Sequence, residues 1–255
     1  MARTPSRRVA ESEGCAPLRE TFVRCRSAGW SRWPEAEGAF LEAMWRFDQN
    51  FAAGIADQGD NQNGKGDFFT DLLCVLLEHC SGKELNYRPA VAGRIFRGHA
   101  LDAAFPAQGT VEVLIETKAC GAPKTSRNPK QKNPLGRPGH ADLGKRIKEA
   151  GLKTIDLKAE WARREGKGGG PTGDFITWLR RSKPSCYLLL AVRVVDDRDL
   201  KQAIHMTDTA NQVMDASGLF AFRPGEKGYV TCPVSTTIEI DRVLSRICDQ
   251  LRALP

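Results

Sequence analysis

Asp102, Glu116 and Lys118 are the residues of this chain whose types and spacing could do chemistry together. Glu116 and Lys118 lie two apart in Val111 to Ala119, a run rich in β-branched residues that reads as a strand. Strand side chains alternate faces, so the acid and the amine share one face. Asp102 precedes a turn at Pro106 to Gly109, and pairing of the two flanking runs as a hairpin brings it to that face. Two carboxylates beside an ammonium make a divalent-cation site with a cationic helper, because a hard cation prefers oxygen ligands and acidifies the water it binds. Val111, Val113, Leu114 and Ile115 mark the strand as core, so charges at its end must be paired, coordinated or open to a cleft.

The surrounding charge points to the substrate. Residues 119–165 carry twelve Lys and Arg against five Asp and Glu, a local excess of seven that equals the formal charge of +7 for all 255 residues. Within it, residues 121–140 hold four prolines and no acid, and so form a long loop. A basic loop and helix beside carboxylates suits a phosphodiester gripped by its backbone. Lys124, Arg127, Lys130, Lys132 and Arg137 are the expected DNA contacts, with Asn128, Gln131 and Asn133 as base readers. A solvated helix face explains the helical cations equally well but not the acid-free loop.

Other motifs carry less. Gly59 to Lys65 matches GxxxxGK, but Gly66 stands where a Ser or Thr would bind magnesium, so the segment reads as a Gly/Asn-rich linker into a helix. Cys74, His79 and Cys80 lack a second ligand pair for zinc, and the eight scattered cysteines read as buried, reduced thiols. The N-terminus has no apolar signal segment, and the longest apolar run, Cys186 to Val192, stops at Arg193. A cytoplasmic protein with no membrane partner is expected.

The positioning elements follow from periodicity. Residues 1–28 read as a loosely held arm, and residues 29–255 as one domain with the basic loop at 121–140. Helices are expected after Pro34, from Asp67 to Cys80, from Ala141 to Arg164, from Asp174 to Arg181 with Phe175, Ile176, Trp178 and Leu179 buried, from Asp199 to Ala216, and from Ile238 to Leu254. Ser185 to Val195 is a nearly continuous apolar strand, the pattern of a sheet covered on both faces. Shorter strands are expected at Gly218 to Phe222 and near Tyr229 to Val234, with Tyr87 to Phe96 extended. On the 67–80 helix, Asp71 reads as a solvated acid, whereas Glu78 stands where the helix leads towards the acidic hairpin. The fold class is α/β, a central mixed sheet flanked by helices.

Leu101-Asp102, a hairpin, then Glu116-Thr117-Lys118 ending an apolar strand, after a helix ending in Glu78, resembles the PD-(D/E)xK nuclease superfamily, and most of all its type II restriction endonucleases. The resemblance spans about residues 67–195, with Leu101 in place of the name-giving proline. It implies a restriction-endonuclease-like fold and Mg²⁺-dependent cleavage of double-stranded DNA, sequence-specific and by a homodimer, with a companion DNA methyltransferase as genetic partner. By the same resemblance Asp102, Glu116 and the Thr117 carbonyl would ligate Mg²⁺, Lys118 would orient the attacking water, and Glu78 would hold a second metal or its water. A repair, junction-resolving or other defence nuclease, and a non-catalytic nucleic-acid-binding protein, are the alternatives.

Overall fold

The computed structural model describes residues 16–124, 134–168, 170–171 and 173–255. Helices α1 (Ala16–Ser27), α2 (Trp33–Ala52) and α3 (Gln58–Ser81) lead into short strands β1 (Asn86–Tyr87), β2 (Ala90–Val91), β3 (His99–Ala100) and β4 (Ala103–Phe105). The long strand β5 (Val113–Cys120), helix α4 (His140–Arg164), short helix α5 (Phe175–Arg181) and β6 (Ser185–Arg193) follow. Helix α6 (Asp197–Ala210), β7 (Ala216–Pro224), β8 (Tyr229–Cys232) and α7 (Ile240–Ala253) complete the chain. The main sheet has the order β1-β4-β5-β6-β7-β8, with β5, β6 and β7 parallel and the outer pairings antiparallel; β2 and β3 form a separate ribbon.

The α/β class and the mixed sheet flanked by helices are as the sequence predicts. Alternation along β5 divides the layers. Val113 and Ile115 pack with α2, α3 and α7, among Phe40, Phe68, Leu72 and Ile247. Leu114 packs with Leu157 of α4, and α4 and α6 cover Leu188, Leu190 and Val192 of β6. Both faces of β6 are therefore buried, which is why its sequence is unbroken apolar.

Several expectations are corrected. The 59–66 linker is the first two turns of α3, capped by Asp57, whose carboxylate accepts from Asp60 N. Gly64 in it serves packing, since a Cβ there would lie 2.6 Å from the Phe47 ring. Residues 16–27 of the expected arm are helical, with Cys25 fully buried, whereas residues 1–15 lie outside the described residues. Asp71 is buried rather than solvated. On α5 only Leu179 is buried; Phe175 and Ile176 are exposed. The stretch 87–96, expected as a strand or extended link, holds the end of β1, the dipeptide strand β2 and the start of a loop. Cys80 and Cys248 form a disulfide between α3 and α7, against the expectation of free thiols throughout. Among the described residues no helix is long and apolar enough to cross a membrane.

Candidate active site

The site forms at the C-terminal end of β5, where the strand outruns its antiparallel partner β4. Register pairs Ala103 with Ile115, so Asp102 falls opposite Glu116 just beyond the last ladder pair. Asp102 Oδ2 accepts from Thr117 N at 2.8 Å, which fixes the carboxylate to the strand backbone. Arg88, in the left-handed region at φ 48°, donates its N–H to Asp102 O and its guanidinium to Asp67 of α3 at 2.7 Å. This residue ties the hairpin to the helix layer.

Lys118 is the centre of the arrangement. Its Nζ lies 2.9 Å from Asp102 Oδ2, 3.2 Å from Glu116 Oε2 and 2.7 Å from the carbonyl oxygen of Thr117. Burial alone would lower the pKa of this ammonium, but Asp102 and Glu116 outweigh it by charge and hydrogen bonding, and the pKa stands above the ordinary lysine value. The cation therefore persists at neutral pH. Three hard oxygens converge on one positive centre, and Asp102 remains open to a cleft of about 240 Å³ lined also by Asp67, Thr70, Arg137 and Arg146.

Lys153 was not foreseen. It reaches from α4 across the sheet face, its Nζ lying 2.9 and 3.0 Å from the two oxygens of Glu116 and 2.6 Å from Ala100 O. Thr70 was missed also; its hydroxyl lies 2.5 Å from that of Thr117, on the opposite sheet face. No local pattern marks either residue, because each reaches the strand through helix packing.

The structure brings together Asp102, Glu116, Thr117 and Lys118 and leaves Glu78 apart. Glu78 lies eight residues beyond Thr70 on α3, about 12 Å along the axis, and accepts from Leu85 N at 3.1 Å. The acid of α3 that lines the cleft is Asp67, about three turns nearer the N-terminus than Glu78. Lys124 is exposed beside the site, and Arg137 is paired with Asp142 at 2.6 Å on the cleft wall. Arg127, Asn128, Lys130, Gln131, Lys132 and Asn133 lie outside the described residues.

The helical half of the basic excess is spent within the fold. Lys145 and Arg146 pair with Glu149, Lys153 with Glu116, Lys158 with Asp215, and Arg163 and Arg164 with Glu160. Lys158, fully buried, also donates to Leu179 O. Lys148 is exposed and has no carboxylate partner among the described residues, and the stems of the 121–140 loop are held firmly. Lys65 Nζ donates to Gly121 O at 2.8 Å, and Arg193 donates to Leu135 O at 2.7 Å, both from a buried cluster around Asp48. Asp199 accepts from the backbone N–H groups of Gly139 and His140 at the far end.

No protein-family model matches the chain, and neither a curated protein nor a solved structure does. Among the described residues no cluster of three or more His, Cys, Asp or Glu side chains gathers as a metal site. The set around Lys118 Nζ is instead two carboxylates and one main-chain carbonyl, which are hard donors suited to Mg²⁺ or Ca²⁺ rather than to a thiophilic metal.

Proposed function

We propose that this chain is a Mg²⁺-dependent DNA endonuclease of the restriction type, hydrolysing phosphodiester bonds in double-stranded DNA on a PD-(D/E)xK-like scaffold. The observation that carries the reading is the convergence of Asp102, Glu116 and the Thr117 carbonyl on the Lys118 ammonium. A positive centre already occupies the focus of a hard-oxygen donor set, so the residues fit a divalent cation. When bound, Mg²⁺ supplies charge neutralisation at the attacked phosphate and a more acidic water.

The chain's own groups do the rest. Asp102 and Glu116 would hold the cation, with the Thr117 carbonyl as a third donor. Lys118, released from their oxygens, orients the attacking water and stabilises the charge that develops on the phosphate. Lys153 keeps Glu116 fixed and neutralised, and Thr70 braces the strand from behind through the Thr117 hydroxyl. The loop between Gly121 and Gly139 grips the phosphate backbone from its clamped stems. A homodimer that cuts both strands, a cytoplasmic setting and a companion DNA methyltransferase belong to the same reading.

Closed circular plasmid incubated with the protein and Mg²⁺ tests it. Discrete linear fragments are expected, with activity lost on chelation and reduced by about 10²-fold or more in Asp102→Asn and in Lys118→Ala. Cleavage undiminished in both variants removes the site assignment; absence of any Mg²⁺-dependent cleavage by the parent removes the nuclease reading.

A further inference from the structure

Immediately before Asp102 the chain makes a small finger. Strands β2 and β3 pair Ala90 with Ala100 and Val91 with His99, and the six residues Ala92 to Arg97 cross between them before Gly98. At its tip the sequence is Arg94-Ile95-Phe96-Arg97. Ile95 is 74% exposed and Phe96 46%, the former among the most exposed large apolar side chains described. Both arginines are exposed, and among the described residues neither has a carboxylate partner, unlike most cations of α4.

The fold invests in holding this loop. Asp156 of α4 is 1% exposed and accepts from Ile95 N at 2.6 Å and Phe96 N at 3.1 Å, while His99 Nε2 lies 2.7 Å from its Oδ2. Burial would raise the Asp156 carboxyl, but the bonds from His99, Phe96 and Ile95 outweigh it and hold the pKa below the ordinary aspartate value, so it is ionised. Gly93 must be glycine, because a Cβ there would lie 2.0 Å from Asp156 Oδ2. Phe96 leans edge-on against His99 with ring centroids 5.5 Å apart. A buried charge is thus committed to fixing a backbone whose side chains bury almost nothing, an arrangement that contributes little to core stability.

We infer that this finger is a DNA wedge: Ile95, backed by Phe96, enters between base steps from the minor groove while Arg94 and Arg97 hold the flanking phosphates. The inference rests on the nuclease reading above. Apolar side chains flanked by cations are the means by which minor-groove proteins unstack and kink a duplex. Exposed apolar groups alone would fit a protein partner equally; the unpaired arginines and the position of the loop decide for DNA. From Phe96 to Asp102 is six residues, a reach of at most about 20 Å, or roughly six base pairs. The wedge would therefore act within the footprint of the cutting site and deform the duplex it presents.

Unwinding of plasmid tests this without knowledge of any recognition sequence. The full-length protein is bound to closed circular plasmid in EDTA, the plasmid is relaxed with a metal-independent topoisomerase, and topoisomers are resolved after deproteinisation. The parent should lower the linking number in proportion to occupancy. Ile95→Ser/Phe96→Ser, compared at equal plasmid occupancy, should leave it unshifted. Arg94→Gln/Arg97→Gln should lose roughly tenfold or more in plasmid affinity at 0.1 M salt and show a shallower salt dependence by about two charges. All four side chains are exposed, and unchanged melting temperatures verify folding. If the parent cuts plasmid with Mg²⁺ yet never shifts the linking number, or if the apolar double variant unwinds like the parent, the wedge is rejected and the nuclease reading stands. If that variant instead turns a dimer into a monomer with unwinding unchanged, the tip is a contact between copies and the wedge is rejected. A parent that neither binds nor cuts plasmid overturns both.

Discussion

If the Lys118 ammonium and a divalent cation share the same three oxygens, deleting the ammonium should weaken the metal-free protein and strengthen its response to metal. Lys118→Met keeps the apolar stem and removes the charge. The side chains of Lys118, Asp102 and Glu116 are 21%, 28% and 5% exposed, between the surface and buried regimes. Glu116 retains Lys153, and Asp102 retains the N–H of Thr117, so the loss falls well below the 3–5 kcal/mol of a fully buried broken pair. A value of about 1–2 kcal/mol is expected, lowering Tm by roughly 2–8 °C for a chain of this size. Ca²⁺, which binds such donors without being asked to support cleavage, no longer competes with the ammonium in the variant. Each tenfold gain in its affinity adds about 1.4 kcal/mol of stabilisation at saturating metal. Differential scanning calorimetry with and without Ca²⁺ measures both effects, and Asp102→Asn serves as the control that should lose the Ca²⁺ response. A Lys118→Met protein that melts with the parent in EDTA and gains the same increment from Ca²⁺ refutes the shared-oxygen reasoning.

Two further predictions concern what supports the site. Lys65→Met removes a buried ammonium from Asp48 and from Gly121 O, leaving the Asp48 carboxylate with Tyr229 and Asn61 as donors and Arg193 as its ion-pair partner at 3.8 Å; a loss of about 2 kcal/mol in urea unfolding is expected, and parental stability would show that the cluster is not a clamp. Glu160, bonded by Arg163 and Arg164, has its pKa lowered from 4.5 to about 2, so its contribution to stability is complete above pH 4.5 and is lost as pH falls towards 2. Circular dichroism followed through acid should show Glu160→Gln with a shallower decline across that window than the parent, and identical acid profiles would contradict the assignment.

The cysteines divide into thiols that burial keeps inert and a pair that packing joins. Cys25 and Cys186 are pushed up to about 12 and Cys120 to about 11 by burial, which makes them the inert small hydrophobes that their scattered spacing suggests. Cys80 and Cys248 differ from them only in that two helices 168 residues apart in sequence meet. No spacing rule can see such a meeting.

The hairpin was legible because strand alternation is a local rule: it alone puts Glu116 and Lys118 on one face, and a short turn alone brings Asp102 opposite. The central strand of the mixed sheet was legible for a similar reason, since β6 buried on both faces must read as unbroken apolar. Misreading the start of α3 has an equally physical cause. Glycine and asparagine disfavour an isolated helix, but Gly64 admits the Phe47 ring and Lys65 finds Asp48, so tertiary contacts outweigh local propensity there. Glu78 was misjudged because helical phase gives direction but not position along the axis relative to a strand. The count of basic residues in 119–165 was correct as a count, yet charge in a sequence carries no information about pairing, and α4 spends most of its cations on Glu116, Glu149, Glu160 and Asp215. By itself, then, the sequence determined the acid–acid–lysine face and the layered α/β class, because both follow from repeats of two and of about 3.6 residues along the chain. Only the tertiary structure decided that Lys153 holds Glu116, that Asp67 rather than Glu78 faces the cleft, and that Ile95 stands out in solvent on a loop pinned by Asp156, because each depends on which distant surfaces come into contact.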